Sequence, residues 1–388
     1  MKTGPVRVLH VLGTLNRGGA ESRIMDLYRH LDREKVQFDF LVHTSGKDDF
    51  AEEVKRLGGA IYTLPRFKGY NLVAYELAAY SFFMTHTEYD VVEGHMTSTA
   101  SIYLPKAKKA YAECGRKGPV TIAHVRSAGA ENGLKGIATE YLRRDLKNKA
   151  DFLWSCSLHA GEAVYGEAAV RENRVEVIPN AIEAEAFLFD PAKRMAAREE
   201  YGIAEDAFVI GHVGRFEKVK NQAFLVECLA DALAENDRLL FVGKGPEQDR
   251  VRELCEKAGL AGKVLFTGAL PAEKVADLYR AMDVFALPSL YDGVPGTVVE
   301  AQVSGLPCVI SDRVTDEVCL TKLVERIPLG EKEAWQRAIL AAKNRAKDPV
   351  NREKEAQEAL QSIREQGYDA AYLSKTMEEK YLELADGR

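Results

Sequence analysis

The chain has 388 residues, 46% of them hydrophobic and 29% charged, and a formal net charge of −6. It is long enough for two domains of ordinary size, and its composition is that of a globular chain rather than a fibrous or disordered one. The acidic balance exerts no overall pull on nucleic acid, so no nucleic-acid partner is expected.

The six cysteines (Cys114, Cys156, Cys228, Cys255, Cys308, Cys319) form no CxxC pair. A zinc or redox motif is therefore unsupported, and reduced structural thiols are the expectation. The first apolar run, Val8–Gly13, is too short for a signal peptide, and no run approaches membrane-spanning length. A cytoplasmic protein is expected.

In chain order the first half alternates strand and helix signals. Val6–Leu12 reads as a strand, Glu21–Leu31 as a helix, Phe38–His43 as a strand and Asp49–Leu57 as a helix. Short strands follow at Ala60–Leu64, Val91–Glu93, Val120–His124 and Leu153–Ser157, with helical patterns at Asn71–Thr85, Thr99–Cys114 and Thr139–Ala150. The stretch Glu185–Ala196 reads as a crossing between domains. The alternation then restarts with strands at Phe208–Val213, Leu239–Val242, Val264–Thr267, Val284–Leu287, Cys308–Ser311 and Leu323–Ile327. Ala356–Leu384 is helical by pattern. Alternation at this pitch implies parallel sheets with helices on both faces, hence an α/β fold of two consecutive Rossmann-like domains facing across a cleft.

Two segments carry the chemistry. The run LPSLYDGVPGTVVEA (Leu287–Ala301) leaves a strand, passes through a loop holding Asp292, Gly293, Pro295 and Gly296, and enters a helix bearing Glu300. Free N–H groups and the positive end of the dipole at such an entry face an incoming anion. Gly293, Gly296, Thr297 and Val298 keep their backbone donors, whereas Pro295 has none. Glu300, a turn inside, suits hydroxyl groups such as those of a ribose; its bland alternative is a helix-start acid. Upstream, the strand FVIGHVG runs directly into RFEKVKNQ, which places Arg215, Lys218 and Lys220 at a strand's C-terminal end. Fixed cations there suit a diphosphate. The pair of segments thus implies a ligand that is both phosphorylated and rich in hydroxyls, a sugar nucleotide.

Together the segments resemble the large retaining glycosyltransferase family of GT-B fold (group 1, family 4), and within it the bacterial exopolysaccharide and capsule branch. The family's Gly-Arg-x4-Lys-Asn stretch is matched by Gly214, Arg215, Lys220 and Asn221, and its two acids seven residues apart by Asp292 and Glu300. Lesser matches are GGAES at Gly18–Ser22, IPNAIEAEAF at Ile178–Phe187, GKGPEQDR at Gly243–Arg250 and AMDVFALPS at Ala281–Ser289. The resemblance implies an N-terminal acceptor-side domain over 1–187, to which a terminal helix at 365–388 returns, and a nucleotide-sugar domain over 188–364. It implies a metal-independent hexosyltransferase with no cofactor, moving a sugar from a nucleoside-diphosphate sugar, most simply a UDP-sugar, to a saccharide or lipid-linked acceptor. Arg215 and Lys220 would stabilise the leaving diphosphate, Asp292 would lie beside the transferred sugar, and Glu300 would hold the ribose. Asp292 is shorter by one methylene than the family's usual Glu.

In the first half, Gly18 and Gly19 stand between strand and helix, either letting a backbone approach the ligand or making a turn that needs positive φ. The loop GTLNRGG lacks the G-x-G-x-x-G of a dinucleotide site, which disfavours an NAD enzyme. His124 ends the strand VTIAH. By itself it is a strand-end histidine; the resemblance makes it a contact to the donor sugar, and His95 a further candidate by the same logic. Where the branch often carries His-x-His, this chain has His124 and Arg126. Cations gather at Lys106, Lys108, Lys109, Arg116 and Lys117, and again at Arg143, Arg144, Lys147 and Lys149. Either they are a solvated face or they dock on an anionic membrane, which would make the protein peripheral at the inner face of the cell membrane. Rival readings are a sugar-nucleotide epimerase-like enzyme of the same fold and a non-catalytic sugar-nucleotide-binding subunit.

Overall fold

The computed structural model describes residues 4–44, 48–126, 139–345 and 349–387. The chain divides into two units, one of Met1–Ala181 together with Ala370–Arg388, the other of Ile182–Asp369. The division falls a few residues before the expected 187, and Pro191–Glu200, part of the expected crossing, is a helix capped by the Asp190 side chain.

In the first unit, β1 (Val6–Leu12), β2 (Val36–Val42), β3 (Ile61–Thr63), β4 (Val91–Gly94), β5 (Val120–Val125), β6 (Phe152–Ser155) and β7 (Val175–Val177) form a sheet in the order β3-β2-β1-β4-β5-β6-β7. Every pairing in it is parallel. Side chains alternate between its faces. Leu9, Val11, Val92, Ala123 and Val125 meet residues of helices Leu72–Thr85 and Thr97–Glu113 on one face. Val8, Phe38, Val91 and Ile122 meet helix Gly19–His30 and the last helix, Ala370–Asp386, on the other. His10, Glu93 and His124 share that second face, with His10 opposite Glu93 across β1 and β4 and His124 two residues beyond Ile122, the β5 partner of Glu93.

The second unit repeats the plan with β8 (Val209–Val213), β9 (Arg238–Val242), β10 (Val264–Gly268), β11 (Val284–Leu287), β12 (Cys308–Ser311) and β13 (Val324–Ile327), ordered β10-β9-β8-β11-β12-β13 and parallel throughout. Its central strands are buried along their whole length, which is why they appear in the sequence as mostly apolar runs. Strand order reverses between β1 and β4 and between β8 and β11. The crevice at the carboxyl ends of such a pair is where doubly wound sheets bind ligands.

Two expected elements differ. The tail is two helices, Pro349–Glu365 and Ala370–Asp386, because Gly367 takes φ 79° and stops the first. The pattern over Thr139–Ala150 yields helical residues only over 139–143, followed by a short 3-10 turn at Leu146–Asn148. Among the described residues no helix is long and apolar enough to cross a membrane.

The GKGP loop after β9 is clamped to the end of β8 by backbone hydrogen bonds. Gly214 N–H donates to the Val242 carbonyl (3.0 Å) and Phe216 N–H to that of Lys244 (3.0 Å). A Cβ on Gly243 would lie 2.1 Å from the Gly214 carbonyl oxygen, and φ is +136° there. Gly243→Ala is expected to destabilise the second unit by about 1–3 kcal/mol and to displace Arg215. Denaturant unfolding read alongside UDP affinity checks this: loss of both is expected.

Candidate active site

In the second unit the chain leaves β8 through Gly214 and Arg215 and turns at Asn221, whose left-handed φ of 54° directs it into helix Gln222–Leu229. Asn221 Nδ2 donates to the Pro288 carbonyl (3.2 Å), and Leu290 N–H to that of Val219 (2.8 Å). These bonds bring the cation-bearing loop alongside the loop after β11. Lys220 and Asp292 meet there as an ion pair, each about four-fifths buried, with the Ser289 hydroxyl 3.4 Å from the same carboxylate oxygen. Arg215 reaches outward: its side chain is 77% exposed and pairs with Glu217 at 3.1 Å.

Helix Gly296–Val303 starts with no acid in its first turn. The Val298 N–H is engaged by the Pro295 carbonyl (3.0 Å), which leaves the N–H groups of Gly293, Gly296 and Thr297 as the ones of these four candidates without a partner among the described residues. The Thr297 hydroxyl is buried without a hydrogen bond among the described residues. An anion meets unopposed donors at this terminus. Glu300, one turn in, is fixed by the buried Tyr279, whose hydroxyl lies 2.9 Å from Oε2. A buried histidine supports the floor of the site. His212 Nδ1 donates to the Ala286 carbonyl (2.9 Å), and its Nε2 lies under Gly214.

In the first unit Gly18 has φ −116°, so the turn explanation for these glycines does not hold. A Cβ at Gly18 would meet only the end of the Glu21 side chain, and at Gly19 only open space. Glu21 occupies the first turn of this helix and repels an anion there. The second unit therefore offers the better phosphate site.

His124 is fully buried at the end of β5, inside a polar cluster. Its Nδ1 lies 2.6 Å from Glu93 Oε1, and the Tyr381 hydroxyl, from the last helix, 2.5 Å from Oε2. His95 Nε2 and Arg126 Nη2 stand 3.5 and 3.7 Å from Oε1. Burial raises a carboxyl, yet contacts with His10, His95 and His124 hold Glu93 well below its usual value. Burial and the neighbouring Arg126 take His124 down to about 4, against the pull of Glu93. Burial likewise takes His10 to about 4 and His95 well below its ordinary value. His10, Glu93 and His95 bring three donor atoms within 4.8 Å of one another. As a cation site they are opposed by the Arg126 guanidinium, which already supplies positive charge to the same carboxylate.

Glu93, His10, Tyr381, Tyr279 and His212 escape the sequence reading. The one available signal was a charged residue, Glu93, closing the apolar run VVEG.

These sites sit in matched doubly wound units, each at its switch point. Residues 193–358 match the family model of group 1 glycosyl transferases, and 17–186 that of glycosyltransferase family 4. The chain is 34% identical over 351 residues to the "Putative glycosyltransferase EpsF" of Bacillus subtilis, covering 88% of this chain and 89% of that protein. It is 30% identical over 162 residues to an Escherichia coli UDP-Gal:alpha-D-GlcNAc-diphosphoundecaprenol alpha-1,3-galactosyltransferase, covering 40% and 41%. Among solved structures, Anabaena HepE with UDP superposes with a TM-score of 0.76 at 19% identity, covering 97% of this chain and 99% of that one. A Rickettsia africae glycosyltransferase gives 0.78 at 15%, covering 99% and 100%. The chain belongs to the group 1, family 4 glycosyltransferases and has their GT-B fold.

His212 supplies a test of the floor of the site. Burial lowers it to about 4 in the folded chain, from an ordinary 6.5. Between those values the unfolded chain binds more protons, so the contribution is complete above pH 6.5 and is lost as pH falls toward 4. His212→Asn keeps a donor for Ala286 but does not titrate. Its unfolding free energy is expected to lose roughly 2–3 kcal/mol less than the parent's between about pH 7 and about pH 4.5. Parallel pH curves would contradict the assignment.

Proposed function

We propose that the protein transfers a sugar, with retention, from a UDP-sugar to a lipid-linked or saccharide acceptor in surface polysaccharide synthesis, without a metal. The observation that carries this reading is the pairing of free helix-terminal amides with Lys220 and Arg215 at the carboxyl ends of β8 and β11. The amides and cations meet the diphosphate, and Glu300, braced by Tyr279, meets the ribose. As the glycosidic bond breaks, negative charge grows on the leaving β-phosphate. Preorganised donors lower the energy of that change because they need no reorientation during the reaction. Asp292 releases Lys220 to the phosphate and turns to a hydroxyl of the sugar.

Three further points support the reading. HepE structures contain UDP, or UDP-glucose. The Escherichia coli relative is named for UDP-galactose and a diphosphoundecaprenol acceptor. Retention and the polysaccharide role follow from the family resemblance. For the acceptor, a surface hollow of about 500 Å³ in the first unit sets Leu72, Ile102 and Tyr141 beside Lys106, Arg144 and Lys149. Val73 and Leu77 stand exposed on the same helix as Leu72. Apolar surface beside cations suits an anionic lipid-linked acceptor or the membrane that carries it.

Arg215→Ala and Lys220→Ala are each expected to weaken UDP binding by about 1.5–3 kcal/mol, as loss of a charge-assisted contact. Calorimetric titration giving parental affinity in both would remove the diphosphate assignment.

Turnover of a panel of nucleotide sugars, with and without a lipid-diphosphate acceptor, tests the function itself. Transfer is expected from a UDP-sugar, dependent on acceptor and undiminished by EDTA. Binding without turnover of any donor would favour a sugar-nucleotide-binding subunit. Loss on chelation, restored by magnesium or manganese, would overturn the metal-free leaving-group argument.

A further inference from the structure

The Lys220–Asp292 pair is set by backbone on both sides. Leu290 N–H donates to the Val219 carbonyl (2.8 Å), which ties the loop after β11 to the residue before Lys220. On its far side Asp292 bridges to Val314, and Thr315 N–H donates to the Asp292 carbonyl (3.3 Å). The carboxylate thus sits on an anchored stretch of chain, whereas the Lys220 ammonium rides on a long flexible stem. Ser289 Oγ, 3.4 Å from the same oxygen, is the only other side chain hydrogen-bonded to that carboxylate among the described residues. The second cation of the site is held differently. Arg215 is 77% exposed and its partner Glu217 35%, so water screens that pair.

A diphosphate alone takes Lys220 and strands Asp292. That carboxylate is about four-fifths buried, and it then faces phosphate charge with one long hydroxyl contact in place of its cation. Leaving such a charge unpaired is costly. A nucleoside-diphosphate sugar takes Lys220 in the same way but brings hydroxyl donors, one of which satisfies the carboxylate. The two ligands therefore meet the same ion pair on different terms.

We propose that Asp292 sets the site's preference for donor over spent nucleotide. Its carboxylate competes with the diphosphate for Lys220, and a ligand carrying the sugar escapes the competition by hydrogen-bonding Asp292. Once the sugar has gone, Asp292 reclaims Lys220 and UDP is released. The inference rests on the reading of Lys220 as a diphosphate cation and of Asp292 as a neighbour of the transferred sugar. It adds that the same acid weakens binding of the product.

The experiment titrates the full-length chain calorimetrically, at one ionic strength, with UDP, UDP-glucose, UDP-galactose and UDP-N-acetylglucosamine. The sugar nucleotide that binds the parent most tightly is then compared with UDP in Asp292→Asn, Lys220→Ala and Glu217→Gln. Asp292→Asn is expected to bind UDP about tenfold more tightly than the parent, because a pair formed about nine-tenths of the time reduces apparent affinity by that factor. The sugar nucleotide should gain less than about twofold, since loss of the charged acceptor offsets the freed Lys220. Preference for the sugar nucleotide over UDP therefore falls by about fivefold or more. Inhibition of turnover by UDP should strengthen in step. Glu217→Gln removes a negative charge from the same loop and should change UDP affinity by less than about twofold. Asp292→Ala serves where Asp292→Asn does not fold, because the bridge to Val314 is made by backbone.

Unchanged or weaker UDP binding in Asp292→Asn and Asp292→Ala would overturn the proposal. So would an equal gain for UDP and the sugar nucleotide, or a gain in Glu217→Gln as large as in Asp292→Asn, either of which would be a general relief of charge. If Lys220→Ala weakens UDP binding while Asp292→Asn brings no gain, the diphosphate reading stands and this inference alone fails. Parental UDP affinity in Lys220→Ala would remove both.

Discussion

A parallel sheet sends every strand's carboxyl end to the same edge, and the rest of this protein's organisation depends on that constraint. Crossovers fill both faces with helices, so chemistry can emerge only from loops at that edge. Where strand order reverses, the loops of neighbouring strands diverge and leave a crevice. The second unit fills its crevice with two loops of opposite character. One follows β8 and carries Arg215 and Lys220; the other follows β11 and ends in a helix terminus with no acid in its first turn. The Asn221 and Leu290 bonds hold the two together.

The first unit uses the same edge differently. A buried polar cluster sits near the ends of β4 and β5, gathered around the carboxylate of Glu93. Removing one partner from a buried charge costs about 3–5 kcal/mol, so Glu93 ties β1, β4, β5 and the last helix into one arrangement. The result is a buried histidine, His124, that shares the Glu93 carboxylate with the Arg126 guanidinium. In the second unit the equivalent economy is the Lys220–Asp292 pair. Without ligand the two charges satisfy each other; a diphosphate and a sugar hydroxyl would each claim one of them.

The central strands were legible in the sequence because burial on both faces leaves mostly apolar runs such as FVIGHVG and VFAL. The two loops after β8 and β11 were legible as neighbours at strand ends because strand ends, glycines and charges fall together in one short stretch. Glu93 and Tyr381 were not, because their meaning arises from a contact across most of the chain. His212 reads as one more residue of an apolar strand until its ring is seen against the Ala286 carbonyl. The Val298 amide, expected to be free, is taken by the turn that Pro295 starts. The break in the tail was visible as Gly367, but the helical pattern on both sides concealed it.

The central claim is that the leaving diphosphate is held by the amides of Gly296 and Thr297 together with Lys220 and Arg215. A crystal structure of the protein soaked with UDP tests it most directly. The account predicts the β-phosphate at the start of helix Gly296–Val303, with Lys220 Nζ moved from Asp292 onto a phosphate oxygen and the ribose hydroxyls on Glu300. A phosphate bound elsewhere, with the Lys220–Asp292 pair intact, would contradict it.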